Sequence, residues 1–335
     1  MSKPTINDVA ARAGVSKKTV SRVINNSPLL NAATRAKVEA VIAELGYVPN
    51  PQARALATGR NFLIAMIHDN SNPELALAAQ QGVFEAIRDT EYALVVRPID
   101  RKAAGMEQEL RHFLEVQRPA GVLLLPGVAE LESIVAACNQ IGCAYVRMGA
   151  TALDVPSQLV ASNDRQAAAD AVSYLVSLGH QRIGLVAGPD GAGVAQQREL
   201  GYLDAMADHD LDRGPALIAG GDFSFESGMT AGNLLLEVSP RPTAIFAAND
   251  AMAAGVLHAA HLRGIKVPDQ LSIVGFEDTA IAAHIWPPLT TVHVPVAVMA
   301  CGAVFKMIYP DQAETLPAQF RLEMIARAST APAAG

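Results

Sequence analysis

The chain is poor in aromatic residues, charged residues and cysteines, and this composition limits the kinds of protein that it can be. Its 335 residues include a single tryptophan, and 5% are aromatic and 18% charged, whereas half are apolar. This composition is typical of folded globular domains and excludes a disordered chain. The cysteines Cys138, Cys143 and Cys301 have no metal-ligand spacing with histidine, and their odd number does not suggest a disulfide framework.

Long apolar runs are also missing from the sequence. No stretch of 18 or more apolar residues occurs, and Met1-Ser2-Lys3-Pro4 is not followed by the apolar segment of a secretory signal. We therefore expect no membrane span, no membrane partner and a cytoplasmic location.

The motifs of common enzyme families do not occur. Gly188, Gly191 and Gly193 lack the spacing of a dinucleotide-binding glycine loop, and there is neither a Walker loop nor a Gly-x-Ser-x-Gly elbow. His258 and His261 are three residues apart on one predicted helix, but no third metal ligand accompanies them. We expect no enzymatic activity, no cofactor and no metal site.

Charge is distributed unevenly along the chain. Residues 1–60 contain nine Lys or Arg and three acidic residues, a net charge of +6, and the remaining 275 residues carry −13. A positive end on an acidic body is expected when that end binds nucleic acid, because phosphate neutralisation supplies most of the non-specific affinity. A solvated basic surface explains the charge alone equally well.

The first 46 residues predict three short helices. Thr5 caps the first helix, a capping-box acid follows it, and Gly14 ends that helix. Ser16 caps the second helix, Lys17–Ile24, and Gly46 stands where the third helix needs a left-handed cap. A glycine in the turn between the first two helices indicates an all-α helix-turn-helix head.

The second helix has an exposed polar side. A recognition helix presents hydrogen-bond donors there to base edges and phosphates. The residues on that side are Lys17, Lys18, Thr19, Ser21, Arg22 and Asn25.

From Asn61 onward, short apolar runs alternate with amphipathic segments. The runs are Phe62–Ile67, Ala93–Val96, Gly121–Leu125, Ala144–Val146, Leu159–Ala161, Ile183–Val186, Thr243–Ala247 and Leu271–Val274. The alternation predicts an α/β fold with two doubly wound parallel-sheet lobes. Ligands of such folds lie at the carboxyl ends of the strands, so the residues that follow each run are the candidate ligand contacts.

Several segments resemble a known family. They are Thr5-Ile6-Asn7-Asp8-Val9-Ala10, Ser16-Lys17-Lys18-Thr19-Val20-Ser21-Arg22-Val23-Ile24-Asn25, Leu45-Gly46-Tyr47-Val48-Pro49-Asn50, Gly179-His180-Gln181-Arg182-Ile183, Gly221-Asp222-Phe223, Ala248-Asn249-Asp250-Ala251-Met252-Ala253, Val274-Gly275-Phe276-Glu277-Asp278 and Pro287-Pro288-Leu289-Thr290-Thr291. Together they resemble the LacI/GalR family of bacterial transcriptional regulators along nearly the whole chain.

The resemblance implies a domain organisation. Residues 1–46 would form the DNA-binding domain, 47–60 a hinge helix or linker, and 61–335 an effector-binding and dimerisation domain of periplasmic-binding-protein type. Its lobes would comprise about 61–160 plus 290–318, and 161–289 plus 319–330. The implied partners are double-stranded DNA with a pseudo-palindromic operator, a second copy of the chain and a small-molecule effector, a sugar.

The resemblance also implies DNA contacts. Lys17 and Lys18 would discriminate bases in the major groove, and Leu56 would wedge into the minor groove. Simple charge attraction is the alternative for the lysines, and a buried leucine in an ordinary linker is the alternative for Leu56. The remaining implied contacts to phosphates or bases are Thr5, Ser16, Thr19, Ser21, Arg22, Asn25, Asn50 and Ala53.

Candidate ligand contacts follow the predicted strands or match the family pattern. They are Asp69, Asn70, Glu74, Arg198, Phe223, Asn249, Asp250, Asp278 and Trp286. Glu74-Leu75 stands where many family members have two aromatic residues, which weakens the case for a sugar-stacking platform there.

Each ligand candidate has a structural alternative. Arg198 could form a surface ion pair, and Asn249 or Asp250 could cap a helix. Phe223 and Asp278 could serve packing, Trp286 could fill the core, and Asn163-Asp164 reverses the more common family order.

Three functions are compatible with the sequence. The first is a ligand-responsive, sequence-specific transcription regulator, by family resemblance most often a repressor of carbohydrate-use genes. The second is a small-molecule carrier of the periplasmic type without a regulatory role, and the third is an α/β enzyme. The basic head favours the first.

Overall fold

The computed structural model describes residues 4–24, 29–47, 61–69, 72–101, 103–150, 154–317 and 319–333. The chain divides into two compact units, Met1–Phe62 and Leu63–Gly335. The first unit is all-α in its described part and the second is α/β. This confirms the predicted fold class.

The first unit contains three helices in its described residues. They are α1 (Ile6–Ala13), α2 (Lys17–Ile24) and α3 (Ala32–Leu45). A capping box begins α1, as predicted, because the Thr5 backbone N–H donates to the Asp8 carboxylate at 2.7 Å. Gly14 and Gly46 end α1 and α3 with φ angles of 63° and 60°, a conformation that a side chain would strain.

A small apolar core holds the three helices together. Helix burial of this kind supplies most of the stability of helices too short to persist alone in water. The buried members are Val9, Ala10, Ala13, Val20, Val23, Val38 and Val41. Tyr47 packs against this core, so it belongs to the head rather than to the predicted hinge segment.

The second unit alternates strands and helices. Its strands are β1 (Leu63–His68), β2 (Ala93–Pro98), β3 (Gly121–Leu124), β4 (Ala144–Gly149), β5 (Leu159–Ser162), β6 (Ile183–Ala187), β7 (Ile218–Gly220), β8 (Ala244–Ala247), β9 (Ser272–Val274), β10 (Thr291–His293), β11 (Gln319–Phe320) and β12 (Glu323–Ile325). Its helices are α4 (Pro73–Ile87), α5 (Met106–Gln117), α6 (Glu132–Ile141), α7 (Asp164–Ser177), α8 (Gly193–Asp208), α9 (Phe225–Glu237), α10 (Asp250–Leu262), α11 (Ala280–His284) and α12 (Val296–Ile308).

Two parallel sheets form the two lobes. In the described part of the chain, the first sheet has the strand order β11-β5-β4-β3-β1-β2 and the second β7-β6-β8-β9. On the first sheet, α4 and α12 cover one face and α5 and α6 the other. On the second sheet, α7 and α8 pack against one face and α9 and α10 against the other. Both faces of each sheet are therefore apolar, which explains the continuous apolar runs of the strands.

The predicted lobe boundaries are wrong at two places. Residues 319–330 were expected in the second lobe, but Gln319–Phe320 pairs with β5 in the first sheet, and β5 itself extends to Ser162. Residues 290–318 were expected in the first lobe, but Thr290 forms a parallel bridge to Val274 of the second sheet. The periodicity of a strand indicates which of its faces are buried, but not which sheet it joins.

None of the helices within the described residues is long and apolar enough to cross a membrane.

Candidate functional site

Helix α2 presents lysines to solvent. Val20 and Val23 are buried in the core of the head, which directs the opposite side of the helix outward. Lys17 and Lys18 are exposed on that side. The helix therefore has the amphipathic layout that was predicted for a recognition helix.

Ser16 and Thr19 form the start of this helix. The Thr19 backbone N–H donates to Ser16 Oγ at 3.1 Å, and the two hydroxyls are 2.9 Å apart. Ser16 therefore caps α2, as predicted. Ser21 and Arg22 are half-buried along the same helix, and Thr5 is exposed at the start of α1.

Some predicted contacts lie outside the described residues. These are Asn25, Asn50, Ala53 and Leu56 of the DNA-binding set, and Asn70 of the ligand-binding set.

A cleft lies between the two lobes of the second unit. The first lobe contributes residues that follow β1 and β3, and the second lobe contributes loops after β6, β7 and β9. The lining residues are His68, Asp69, Asn72, Leu75, Ala76, Leu125, Pro126, Gly127, Ala192, Val194, Phe223 and Glu277. The cleft is narrow in this arrangement of the lobes, with a free volume of about 20 Å³, room for about one water molecule, so a larger ligand needs the lobes to open.

Among the residues that the structure describes, hydrogen bonds join the lobes across this cleft at two places. The Asn72 amide donates to the Glu277 carboxylate at 2.8 Å. At the second place, the Glu130 carboxylate accepts from the backbone N–H of Gly127 in its own lobe at 2.8 Å and from that of Gly193 in the other lobe at 3.1 Å. Because Gly193 is the first residue of α8, Glu130 binds the positive end of a helix in the opposite lobe.

Arg198 lies beneath the cleft in a buried ion cluster. Its Nε donates to Asp164 at 2.9 Å, and its Nη1 donates to Glu277 at 3.1 Å and to the Ala248 carbonyl at 2.7 Å. The guanidinium also stacks over the Phe276 ring at 4.1 Å. Arg198 is 1% exposed, so the surface ion pair considered as its alternative is wrong, and the side chain does not line the cleft.

Burial raises the pKa of Glu277, although the neighbouring Arg198 guanidinium opposes that shift. A carboxylate in such an environment is costly unless it stays paired. Glu277 is thus held in the wall of the cleft by Arg198 on one side and Asn72 on the other.

Left-handed backbone geometry is concentrated at the cleft. Phe223, Glu277 and Asp278 have φ angles of 71°, 111° and 57°. Such conformations cost on the order of 1–3 kcal/mol for residues with side chains and tend to occur where a ligand is held.

Glu74 and Asp278 line a second groove beside the cleft, and Glu277 borders both. The Asp278 carboxylate accepts from Arg327 at 2.5 Å and from His293 Nδ1 at 3.0 Å. Asp278 therefore connects β10 to the residues after β12 in addition to facing this groove.

Asn249 and Asp250 are buried beneath the cleft. Asn249 accepts from the Met252 backbone N–H at 2.9 Å and donates to the Phe223 carbonyl at 3.0 Å, so it caps α10 and supports a cleft residue. Asp250 accepts from the Thr279 backbone N–H at 2.7 Å and from the Thr291 hydroxyl at 2.5 Å. Burial raises the pKa of Asp250 to about 7.

Trp286 lies away from the cleft. Its side chain is 87% exposed and borders a different groove, with Phe225, His258 and Ile285. Trp286 therefore neither stacks on a ligand in the cleft nor fills the core, so both expectations are wrong.

Of the ligand contacts predicted from the sequence, Asp69 and Phe223 lie in the lining of the cleft. It did not select Glu277 or Glu130, nor Gly127 after β3. All three follow strands closely, so a stricter use of the strand-end rule could have found them.

No group of three or more potential metal ligands occurs among the residues that the structure describes.

The arrangement defines a class of protein. A helix-turn-helix unit with an exposed basic helix, followed in the chain by two α/β lobes around a cleft with apolar walls and a few polar groups, is typical of ligand-controlled DNA-binding regulators.

Comparison with known proteins identifies the family. The family model of bacterial regulatory proteins, lacI family, matches residues 5–50, and that of the periplasmic binding protein-like domain matches residues 172–330. The ribose operon repressor of Escherichia coli (strain K12) is 33% identical over 320 residues, which cover 96% of this chain and 96% of the relative.

Solved structures agree with this result. The lac repressor dimer bound to operator and the anti-inducer ONPF has a TM-score of 0.82 and 27% identity, covering 98% of this chain and 100% of that chain. The complex of the transcriptional regulator CelR with cellobiose has a TM-score of 0.71 and 29% identity, covering 97% and 99%. The chain belongs to the LacI family of bacterial regulatory proteins and is a DNA-binding transcription regulator.

Proposed function

We propose that this regulator is a homodimeric repressor that senses a sugar or related polyol in the cleft between its lobes. The observation that carries the proposal is the pairing of polar groups from both lobes, Asn72 with Glu277, in a cleft with an apolar wall that includes Phe223. Carboxylate and amide groups suit hydroxyls, and apolar side chains suit the face of a sugar ring. The names of the ribose operon repressor and the CelR–cellobiose complex agree with a sugar effector.

The effector would act through the lobes. A ligand that touches both lobes favours their closed arrangement, by no more than its difference in affinity for the closed and open states. Operator affinity would change because the two copies of the head must be spaced to match two half-sites.

The head would read DNA through α2. We assign base contacts to Lys17 and Lys18, and phosphate or base contacts to Thr5, Ser16, Thr19, Ser21 and Arg22. Asn25, Asn50, Ala53 and the minor-groove wedge Leu56 stay predictions from the sequence. In the cleft we assign ligand contacts to Asp69, Phe223 and Glu277, while Arg198, Asn249 and Asp250 support them from beneath.

We further propose that the chain has no catalytic role and acts in the cytoplasm, where it has access to the chromosome. The DNA-binding head supports both proposals, because a small-molecule carrier or a metabolic enzyme does not need a DNA-binding domain.

Binding measurements test the proposal. An operator is first selected from genomic fragments with the full-length protein, and its affinity is then compared with that of random DNA by fluorescence anisotropy. Lys17→Ala and Lys18→Ala should each weaken operator binding by about 1–3 kcal/mol if they contact bases, with a smaller loss on random DNA. Lys37→Ala, an exposed lysine of α3, is the matched control.

Two results would contradict the proposal. The first is equal losses on operator and random DNA, which would leave the lysines only as general positive charges. The second is the absence of any preferred genomic fragment, which would overturn the assigned regulatory role.

A further inference from the structure

We infer that the cleft accepts an uncharged polyhydroxyl ligand and discriminates against the phosphorylated or carboxylated forms of the same sugar. This inference rests on the proposed function, because it specifies the ligand of the same cleft. Three features of the described residues support it.

The first feature is an excess of carboxyl groups around the cleft. Asp69 and Glu277 line it, Glu130 bridges its lobes, and Asp164 lies beneath it. The cations paired with this set are Arg101 and Arg198. Among the described residues, two arginines stand against four carboxyl groups, so there is no positive surplus in that set to receive an anion, and an added negative charge would face uncompensated repulsion.

The second feature is that both arginines are already engaged. Arg198 contacts Asp164 and Glu277 and is almost completely buried, so it could reach an anion only by leaving its partners uncompensated in the interior. Arg101 Nη1 lies 3.4 Å from Asp69 Oδ2. An anionic ligand would therefore compete with a carboxylate of the protein at either arginine.

The third feature is that the helix N-termini beside the cleft are capped by the chain itself. A helix N-terminus is the usual backbone site for a phosphate or carboxylate. Here Glu130 accepts from Gly193 at the start of α8, Asn72 accepts from Leu75 at the start of α4, and Asn249 accepts from Met252 at the start of α10.

A neutral polyol meets no such conflict. Its hydroxyls can donate to Asp69 and Glu277 and can accept from the Asn72 amide. Burial lowers the pKa of His68, which favours the neutral imidazole. Leu75, Val194 and Phe223 provide the apolar walls.

The experiment measures full-length protein by calorimetric titration against matched pairs of sugars. The pairs are D-ribose with D-ribose 5-phosphate, D-glucose with D-glucose 6-phosphate, and D-glucose with D-glucuronate, and cellobiose is added as a larger neutral sugar. We expect at least one neutral sugar to bind, and its anionic counterpart to bind about 30-fold more weakly or not at all.

A charge variant makes the cause of the discrimination testable. Glu277→Gln removes one of the two carboxylates that hold Arg198, so the ratio of anionic to neutral affinity should rise about tenfold. Asp69→Asn should shift the ratio in the same direction and serves if the first variant is poorly folded. Glu237→Gln, which changes an exposed carboxylate paired with Arg263 at the end of α9, should leave the ratio unchanged.

The outcomes separate this inference from the proposed function. Binding of a phosphorylated or carboxylated sugar as tightly as its neutral partner overturns the charge rule but leaves a sugar-responsive repressor intact. Failure of every sugar to bind overturns both the inference and the proposed sensing of a sugar. The proposed role as a DNA-binding repressor is then tested by operator selectivity alone. Loss of operator selectivity with retained neutral-sugar binding overturns the proposed function and not the inference.

Discussion

The buried carboxyl of Asp250 makes stability depend on pH. Burial raises its pKa to about 7 in the folded protein, compared with about 3.9 in an unfolded chain. Between those values the folded protein keeps a proton that the unfolded chain releases, so the free energy of unfolding falls as pH rises from about 4 to 7 and then levels off.

Asp250→Asn removes this titration. The free energy of unfolding of the variant minus that of wild type should increase by about 2 kcal/mol from pH 5 to pH 8. This change does not depend on how stable the variant is at any one pH. Urea unfolding of both proteins at several pH values measures this difference. Asp269→Asn, the same change at an exposed position, is the control, and a difference for Asp250→Asn that does not vary with pH would contradict the prediction.

At the scale of elements, close helix packing in the second lobe depends on glycine. Helices α9 and α10 approach each other so closely that a Cβ at Gly255 would lie 2.2 Å from the Phe225 carbonyl oxygen. Backbone atoms cannot yield as a flexible side chain does, so the helices would have to separate.

Gly255→Ala should therefore destabilise the protein by about 2 kcal/mol or more, despite the higher helix propensity of alanine. Chemical unfolding measures the loss. Gly220→Ala is the control, because a Cβ there meets nothing within 4 Å. Equal stability of the two variants would show that the helix pair tolerates the added methyl group.

Glu130 connects the lobes at the start of α8. Its carboxylate accepts from Gly127 in its own lobe and Gly193 in the other, and a hydrogen bond to a charged group is worth about 1.5–3 kcal/mol. The bond to Gly193 joins the two lobes and therefore stabilises the arrangement of the lobes in this structure.

Glu130→Gln should weaken this connection and lower the affinity for a neutral effector about tenfold, since part of the binding energy would then be spent on closing the lobes. Calorimetric titration measures the change. Glu107→Gln, near the start of α5, is the control. An unchanged affinity would mean that Glu130 does not contribute to closure.

At the scale of the whole molecule, charge separates the DNA-binding part from the sensor. The first 60 residues carry +6 and the rest −13, so the acidic body should repel DNA while the head attracts it. A twofold dimer doubles the number of phosphate contacts and sets the spacing of the half-sites.

Operator affinity should consequently fall steeply with salt. We expect a slope of log Kobs against log [salt] of about −5 or steeper, and a footprint with two related half-sites. Titrations at several salt concentrations and chemical footprinting measure both. A shallow slope, or protection of a single half-site, would contradict a dimer with two heads on DNA.

Several elements could be predicted from the sequence because their causes are local. The capping box at Thr5, the Ser16 cap of α2 and the left-handed caps Gly14 and Gly46 depend on residues within one or two turns. The parallel strands were visible as apolar runs because both faces of each sheet are covered.

The sequence by itself thus determined the helix-turn-helix head, the α/β class of the second unit, the charge separation and the family. Only the tertiary structure decided that β11 joins the first sheet, that Trp286 faces away from the cleft, and that Arg198 and Asp250 lie beneath it. The physical reason is distance along the chain. Asn72 and Glu277 meet across 205 residues, and such a contact depends on how the two lobes fold against each other rather than on any local pattern.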